Sequence, residues 1–210
     1  MVLYFIGLGL GDEKDITVKG LEAVKKCDKL YLEHYTSILS APKEKLEAFY
    51  GKEVIISYRE TVEVEMDNIL SDISKCPEKD YGFLVVGDPF CATTHSDLFL
   101  RAVKLGIKVQ VIHNASIMNA IGATGLQLYS FGETVSVPYF QEKWRPYSFL
   151  PKIAKNFNNK QHTLVLLDIR VREISFENLS KGKEIYDPPR FMTINEAIDQ
   201  ILEAEEHEKT

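Results

Sequence analysis

Residues 81–87 read YGFLVVG, a run with no charge and no proline that closes on glycine. A run of this kind is a β-strand covered on both faces, and such strands belong inside parallel sheets. Residues 2–7, VLYFIG, form a second one. Two buried strands far apart in the chain need crossover segments between them, and amphipathic stretches fill that interval. TVKGLEAVKKCD (17–28) carries Val18, Leu21, Ala23 and Val24 at helical spacing. Thr17 is placed to cap it, Ile16 to staple onto Leu21, and Lys25 and Lys26 to complement the helix dipole. KLYLEHY is a second strand; PKEKLEAFYG, with proline first and glycine last, is a short helix. EVIIS predicts a third strand, residues 63–74 a helix, residues 95–105 another, and KVQVIH a fifth strand. The alternation gives an α/β domain with a mainly parallel sheet over residues 1–114.

Beyond Asn114 the pattern thins. SIMNAIGATG reads as a helix of small residues, ETVSVP and HTLVLLDI as strands, and residues 149–157 as a helix between them. Residues 193–206 form an amphipathic helix on Ile194, Ala197, Ile198, Ile201 and Leu202. A second α/β domain over residues 115–210 follows, with two convincing strands. A two-stranded sheet is marginal alone, and the apolar face of the last helix needs a cover. This domain therefore reads as incomplete at its C-terminal end.

Composition narrows the function classes. The chain has 210 residues, a net charge of −6, three cysteines and five histidines. Acidic balance disfavours a nucleic-acid binder. The cysteines show no CxxC spacing and the histidines no HxxxH pair, so neither a disulfide scaffold nor a metal site is predicted. No apolar run approaches a membrane span and the first residues lack a basic n-region, so a cytoplasmic protein is expected.

The glycines after the first strand, Gly7, Gly9 and Gly11, are spaced G-x-G-x-G rather than G-x-G-x-x-G, and Asp12 stands where the third glycine of a dinucleotide loop belongs. Glu33, ending the second strand, imitates the ribose-binding acid of that fingerprint without the loop that should accompany it. LVVGDPFCATTHSDL (84–98) brings Asp88 to the end of a central strand and crowds Thr93, Thr94, His95 and Ser96 at a helix start. An Asp-Pro turn followed by helix caps accounts for it equally well. VIHNASIMNA (111–120) again delivers polar residues at a strand end, with Ser116 placed to cap. Three loops at one sheet edge point to a ligand cleft.

The segments IGLGLGDEKDITVKG, VGDPFCATTHSDL, HNASIMNAIGATGLQLYSFGETVS, HTLVLLDI and YDPPRFM resemble, in order and over essentially the whole chain, the diphthine synthase family of the tetrapyrrole methylase superfamily. HNASIMNA and WRPYSF lean to its eukaryotic type. The resemblance implies two α/β domains, a homodimer, and S-adenosylmethionine (SAM, leaving as S-adenosylhomocysteine) in the cleft between domains. It implies methylation of the modified histidine of translation elongation factor 2, three times on nitrogen and once as an ester in eukaryotic members. The positions matching the family's SAM contacts are Leu10, Asp88, Cys91, Ser116, Ile117 and Leu167. Cys91 stands where relatives carry glycine. Family members also continue for several dozen residues, with a further SAM-contacting histidine, so the chain is read as a fragment.

No catalytic acid or base is assigned. Asp88 is expected to orient the donor or support its sulfonium through space, and His95 to cap or pack. PYFQEKWRPYSF is expected at the domain junction or against the protein substrate, and YDPPR to border the cleft or merely reverse the chain. The rival readings are a sister methyltransferase acting on a tetrapyrrole or an RNA ribose, and a SAM-binding or dimerisation module without turnover.

Overall fold

Five strands form one sheet in the order β3-β2-β4-β1-β5, every pairing parallel. They are β1 (Leu3–Gly7), β2 (Lys29–Glu33), β3 (Ile55–Ser57), β4 (Tyr81–Val85) and β5 (Val109–Ile112). The coordinates are a computed structural model, which describes residues 1–174 and 185–208. The chain divides into two compact units, Met1–Ala120 and Ile121–Thr210, and the sheet belongs to the first.

All five residues of β4 are buried, as its uncharged sequence predicts for a central strand. Side chains alternate across the sheet. Ile6, Leu30, Leu32 and Leu84 pack against Ala23 and Val24 of α1 (Val18–Lys26) and Leu46 and Tyr50 of α2 (Lys43–Tyr50). On the other face Leu3, Phe5, Phe83 and Val85 meet α3 (Met66–Ser74) through Met66, Leu70 and Ile73, and α4 (Ser96–Lys104) through Leu98 and Ala102. The connection from β1 to β2 passes β4, and that from β4 to β5 passes β1. The two central strands thus send the chain in opposite directions, which opens a crevice at their carboxyl ends.

Helix ends follow their local chemistry with two exceptions. Thr17 caps α1 by accepting the Gly20 N–H, and Gly51 ends α2 in the left-handed conformation at φ 69°. The helix expected over 63–74 instead begins with a π-helical turn, Thr61–Glu65. The caps expected ahead of α4 are absent: His95 holds the N-cap position without a side-chain bond, Thr93 Oγ1 donates to the Pro89 carbonyl, and Thr94 Oγ1 lies 3.5 Å from the Tyr35 hydroxyl. Those hydroxyls are committed to the preceding turn and to β2's loop.

After α5 (Ile117–Ala120) and two 3₁₀ turns, the second unit pairs β6 (Val135–Val137) with β7 (Val165–Leu167) in parallel. HTLVLLDI, read as one strand, is two. Its end, β8 (Ile169–Arg170), leaves β7 and pairs antiparallel with β9 (Arg190–Phe191). Asp168 makes the break: its Oδ2 accepts from the Tyr139 N–H and from Arg170 Nε, and its carbonyl accepts from the Met192 N–H. Val135, Val137, Tyr139, Phe149 and Leu150 form a core with Ala197 and Ala204 of α7 (Ile194–Glu208) and with α6 (Leu150–Asn158). Thr193 and Glu196 cap α7 reciprocally, each satisfying the other's backbone N–H. Its other stripe, Ile194, Ile198 and Leu202, is exposed.

The aromatic stretch PYFQEKWRPYSF, expected at a junction or against a substrate, is largely spent on this unit's own packing. Tyr139 is buried, Phe140 meets the rings of Tyr147 and Phe149, and Arg145 lies over Phe140 while paired with Glu203. In YDPPR, Arg190 stacks on the Tyr139 ring at 4.6 Å.

Candidate functional site at the carboxyl edge of the sheet

The loops after β1, β4 and β5 are bonded to one another. Gly9 and Gly87 exchange backbone hydrogen bonds, 3.3 Å and 2.7 Å, joining the first two. Asn114, after β5, donates from Nδ2 to the Gly7 carbonyl and to the Asp15 carbonyl, each at 3.0 Å. Asp88 reaches the same strand end: its Oδ1 accepts the Phe90 N–H, and its Oδ2 accepts the Asn114 N–H and faces His113 Nδ1 at 2.8 Å. Burial alone would raise the Asp88 carboxyl, but Phe90, His113 and Asn114 outweigh it and hold it below the usual carboxylate range.

The glycines are what allow this closeness. A Cβ on Gly7 would stand 2.6 Å from the Gly87 carbonyl oxygen and 2.8 Å from Asn114 Cβ. Gly9 has φ +78°, and a Cβ there would meet Asp15 Cβ at 2.6 Å. The loop folds back on itself: Asp15 Oδ2 accepts the Gly11 N–H and Asp12 Oδ1 the Lys14 N–H. Those carboxylates occupy the amides that a pyrophosphate would need. Glu33 is likewise engaged, buried and accepting from Tyr35 N–H, Thr36 N–H and Thr36 Oγ1. The dinucleotide fingerprint has no chemistry left to work with here.

Five of the six positions matched to SAM contacts lie in this unit. Leu10 and Ile117 present exposed apolar side chains, although both neighbour buried residues in sequence. Ser116 is buried; its hydroxyl accepts the Met118 N–H, and Asn119 returns a bond to its amide, so it caps α5 as expected. Gly87 faces it, a Cβ at Gly87 falling 3.6 Å from Ser116 Cβ. Cys91 is a half-buried free thiol whose N–H donates to the Asp88 carbonyl. The left-handed position in this turn is the next residue, Ala92 at φ 60°, so Cys91 itself carries no conformation that glycine alone could take. Leu167 ends β7 in the second unit, half-buried against that unit's core. His95 is buried with neither ring nitrogen hydrogen-bonded, and it packs edge-on against Phe83 and Tyr35. It is a packing residue.

His113 is the residue the sequence did not single out. Its signal was its place, directly after β5 and beside Asp88's loop; its partner is 25 residues away. Among the described residues no three His, Cys, Asp or Glu side chains gather as metal ligands, and no helix is long and apolar enough to cross a membrane.

An all-parallel sheet whose three carboxyl-end loops are tied together through Gly9, Gly87, Asp88 and Asn114 is an α/β domain of the kind that binds ligands at this edge. The chain belongs to the tetrapyrrole (corrin/porphyrin) methylases, whose family model matches residues 2–207, and it is a methyltransferase. Within that family it is similar to diphthine methyl ester synthase of Homo sapiens, 60% identical over 208 residues, covering 99% of this chain and 72% of the human protein. The Schizosaccharomyces pombe protein of the same name is 58% identical over 205 residues, 98% of this chain and 71% of that one. A crystal structure of a diphthine synthase superposes with a TM-score of 0.82 at 35% identity, over 99% of this chain and 73% of the other. The eukaryotic-type resemblance read from HNASIMNA and WRPYSF is borne out by these relatives.

Proposed function

We propose that this protein is a SAM-dependent methyltransferase of diphthamide biosynthesis, acting on the 3-carboxy-3-aminopropyl-histidine of elongation factor 2 to give diphthine methyl ester. The observation that carries this reading is the 60% identity to the human diphthine methyl ester synthase over 208 residues, a stretch that includes every loop of the site. A cytoplasmic location matches a translation factor as substrate, and the homodimer is carried over from the family resemblance.

The residues at the sheet edge suit the donor. Leu10 and Ile117 offer apolar surface beside a rim of backbone groups, a combination that fits a flat base joined to a polar amino-acid tail. When bound, the donor supplies an electrophilic methyl on a cationic sulfur. The chain's own share is positioning and exclusion of water. Gly7, Gly9 and Gly87 let backbone approach without side chains, and Asn114 fixes the first loop against the strand ends. Asp88 is closed in by its three bonds, so its contribution is a fixed negative charge through space and the orientation of His113. In this proposal Cys91, Ser116 and Leu167 complete the donor's contacts.

Mass spectrometry of the elongation factor's histidine peptide after incubation with the protein and SAM tests the reading. Four added methyls are expected, one lost on mild alkaline treatment as an ester. An unmodified peptide would refute it.

A further inference from the structure

We propose that His113 is the general base for methylation at nitrogen, its Nε2 taking the proton from the substrate's amino group while Asp88 holds the ring. This rests on the function proposed above. Asp88 is buried, and its two oxygens already accept the N–H groups of Phe90 and Asn114, so it serves as an acceptor. An acceptor 2.8 Å from Nδ1 requires the proton on Nδ1, so the neutral ring carries its lone pair on Nε2. The side chain of His113 is 70% exposed, and among the described residues nothing bonds Nε2. The Phe90 ring, itself wedged against Phe5 and Phe99, meets the imidazole edge at 6.5 Å between centroids. A buried carboxylate, an oriented imidazole and a bare outward nitrogen at a crevice form the base-and-orienter arrangement of general base catalysis. The other histidines of this unit lack it: His95 is sealed in the core, and His34 is half-buried against Tyr58.

The chemistry gives this base a distinct task. The amino group of 3-carboxy-3-aminopropyl-histidine is an ammonium at neutral pH and has no lone pair. Nε2 takes one N–H proton, and the freed pair forms the N–C bond as the methyl's bond to sulfur breaks, its electrons remaining on sulfur. The imidazolium then releases the proton to water through its exposed edge. The mono- and dimethylated products are again ammonium ions with an N–H proton, so each of the three nitrogen transfers needs the step anew; the quaternary trimethylated product has none to lose. Esterification does not, because the attacking carboxylate is already ionised.

The test compares His113→Gln with the parent protein on two forms of elongation factor 2, one with the free amino group and one already trimethylated. Single-turnover nitrogen methylation is expected to fall by roughly 10²–10⁴-fold, with partial return on adding imidazole, while ester formation on the trimethylated factor stays near the parent rate. Equal loss of both reactions, or no loss of either, overturns the assignment. A parent protein that methylates neither form refutes the proposed function instead. Independently of activity, ¹⁵N spectra of the free protein are expected to show His113 protonated at Nδ1 and bare at Nε2, and to lose that tautomer preference in Asp88→Asn. The opposite tautomer in the parent overturns the assignment.

Discussion

His95 and His113 lie 18 positions apart in chains of polar residues that look alike, yet their environments make opposite demands. Burial pushes the His95 imidazole down to about 4, opposed only in part by the Pro89 carbonyl, which stands outside hydrogen-bonding geometry. The unfolded chain takes up a proton near the ordinary value of 6.5, so between about 4 and 6.5 it binds more protons than the native state. Stability from this residue is therefore complete above pH 6.5 and is lost as the pH falls toward 4, by about 3 kcal/mol. Urea titrations of the parent and His95→Phe at pH 7 and pH 4.5 check this: the parent should lose more on acidification by an amount of that order. Equal losses in the two proteins would sink it. Glu33, raised by burial against the bonds from Thr36 and Tyr35, works in the opposite sense and is common to both. The sequence indicated a capping or packing role for His95; packing is what the fold makes of it, because Thr93 and Thr94 spend their hydroxyls elsewhere.

Helices and strands are held in register by a few buried polar side chains, and Asn156 of α6 is the clearest case. It is buried; its Oδ1 accepts the Glu133 N–H, and its Nδ2 donates to the Glu133 carbonyl and to Thr163 Oγ1. It thereby ties α6 to the residues leading into β6 and β7. Asn156→Leu keeps the branched shape, with bulkier methyl groups, and strands three polar groups, at a cost of about 2–4 kcal/mol. A chemical denaturation curve reads this as a lowered midpoint, and a change under about 0.5 kcal/mol would show the knot to be dispensable. Nothing in residues 149–157 of the sequence announced this, since an asparagine near a helix end reads as exposed. The helix itself was legible from its apolar spacing. So was α1, whose Thr17 and paired lysines behave as their positions dictate. The division of HTLVLLDI was not, because Asp168 turns the strand by bonding Tyr139 and Arg170, partners the local pattern does not contain.

The three loops at the sheet edge carry a prediction about the protein in solution. If they form one donor site, S-adenosylhomocysteine should slow amide exchange at residues 8–11, 87–92 and 113–118 together, and leave α2 unchanged. Protection confined to one of those stretches would show that they do not act jointly. What could be read in chain order was what depends on near neighbours: uncharged runs that must be buried, periodic helices, caps, and glycines that permit a close approach. Strand order is a different matter. That β4 inserts between β2 and β1, and that β5 closes on β1's free side, follows from how helices cover both faces of one sheet. This packing brings Gly9 to Gly87 and Asp88 to His113. Residues distant in the chain acquire a shared chemistry only when the crossovers deliver their strand ends side by side, and no local spacing encodes that.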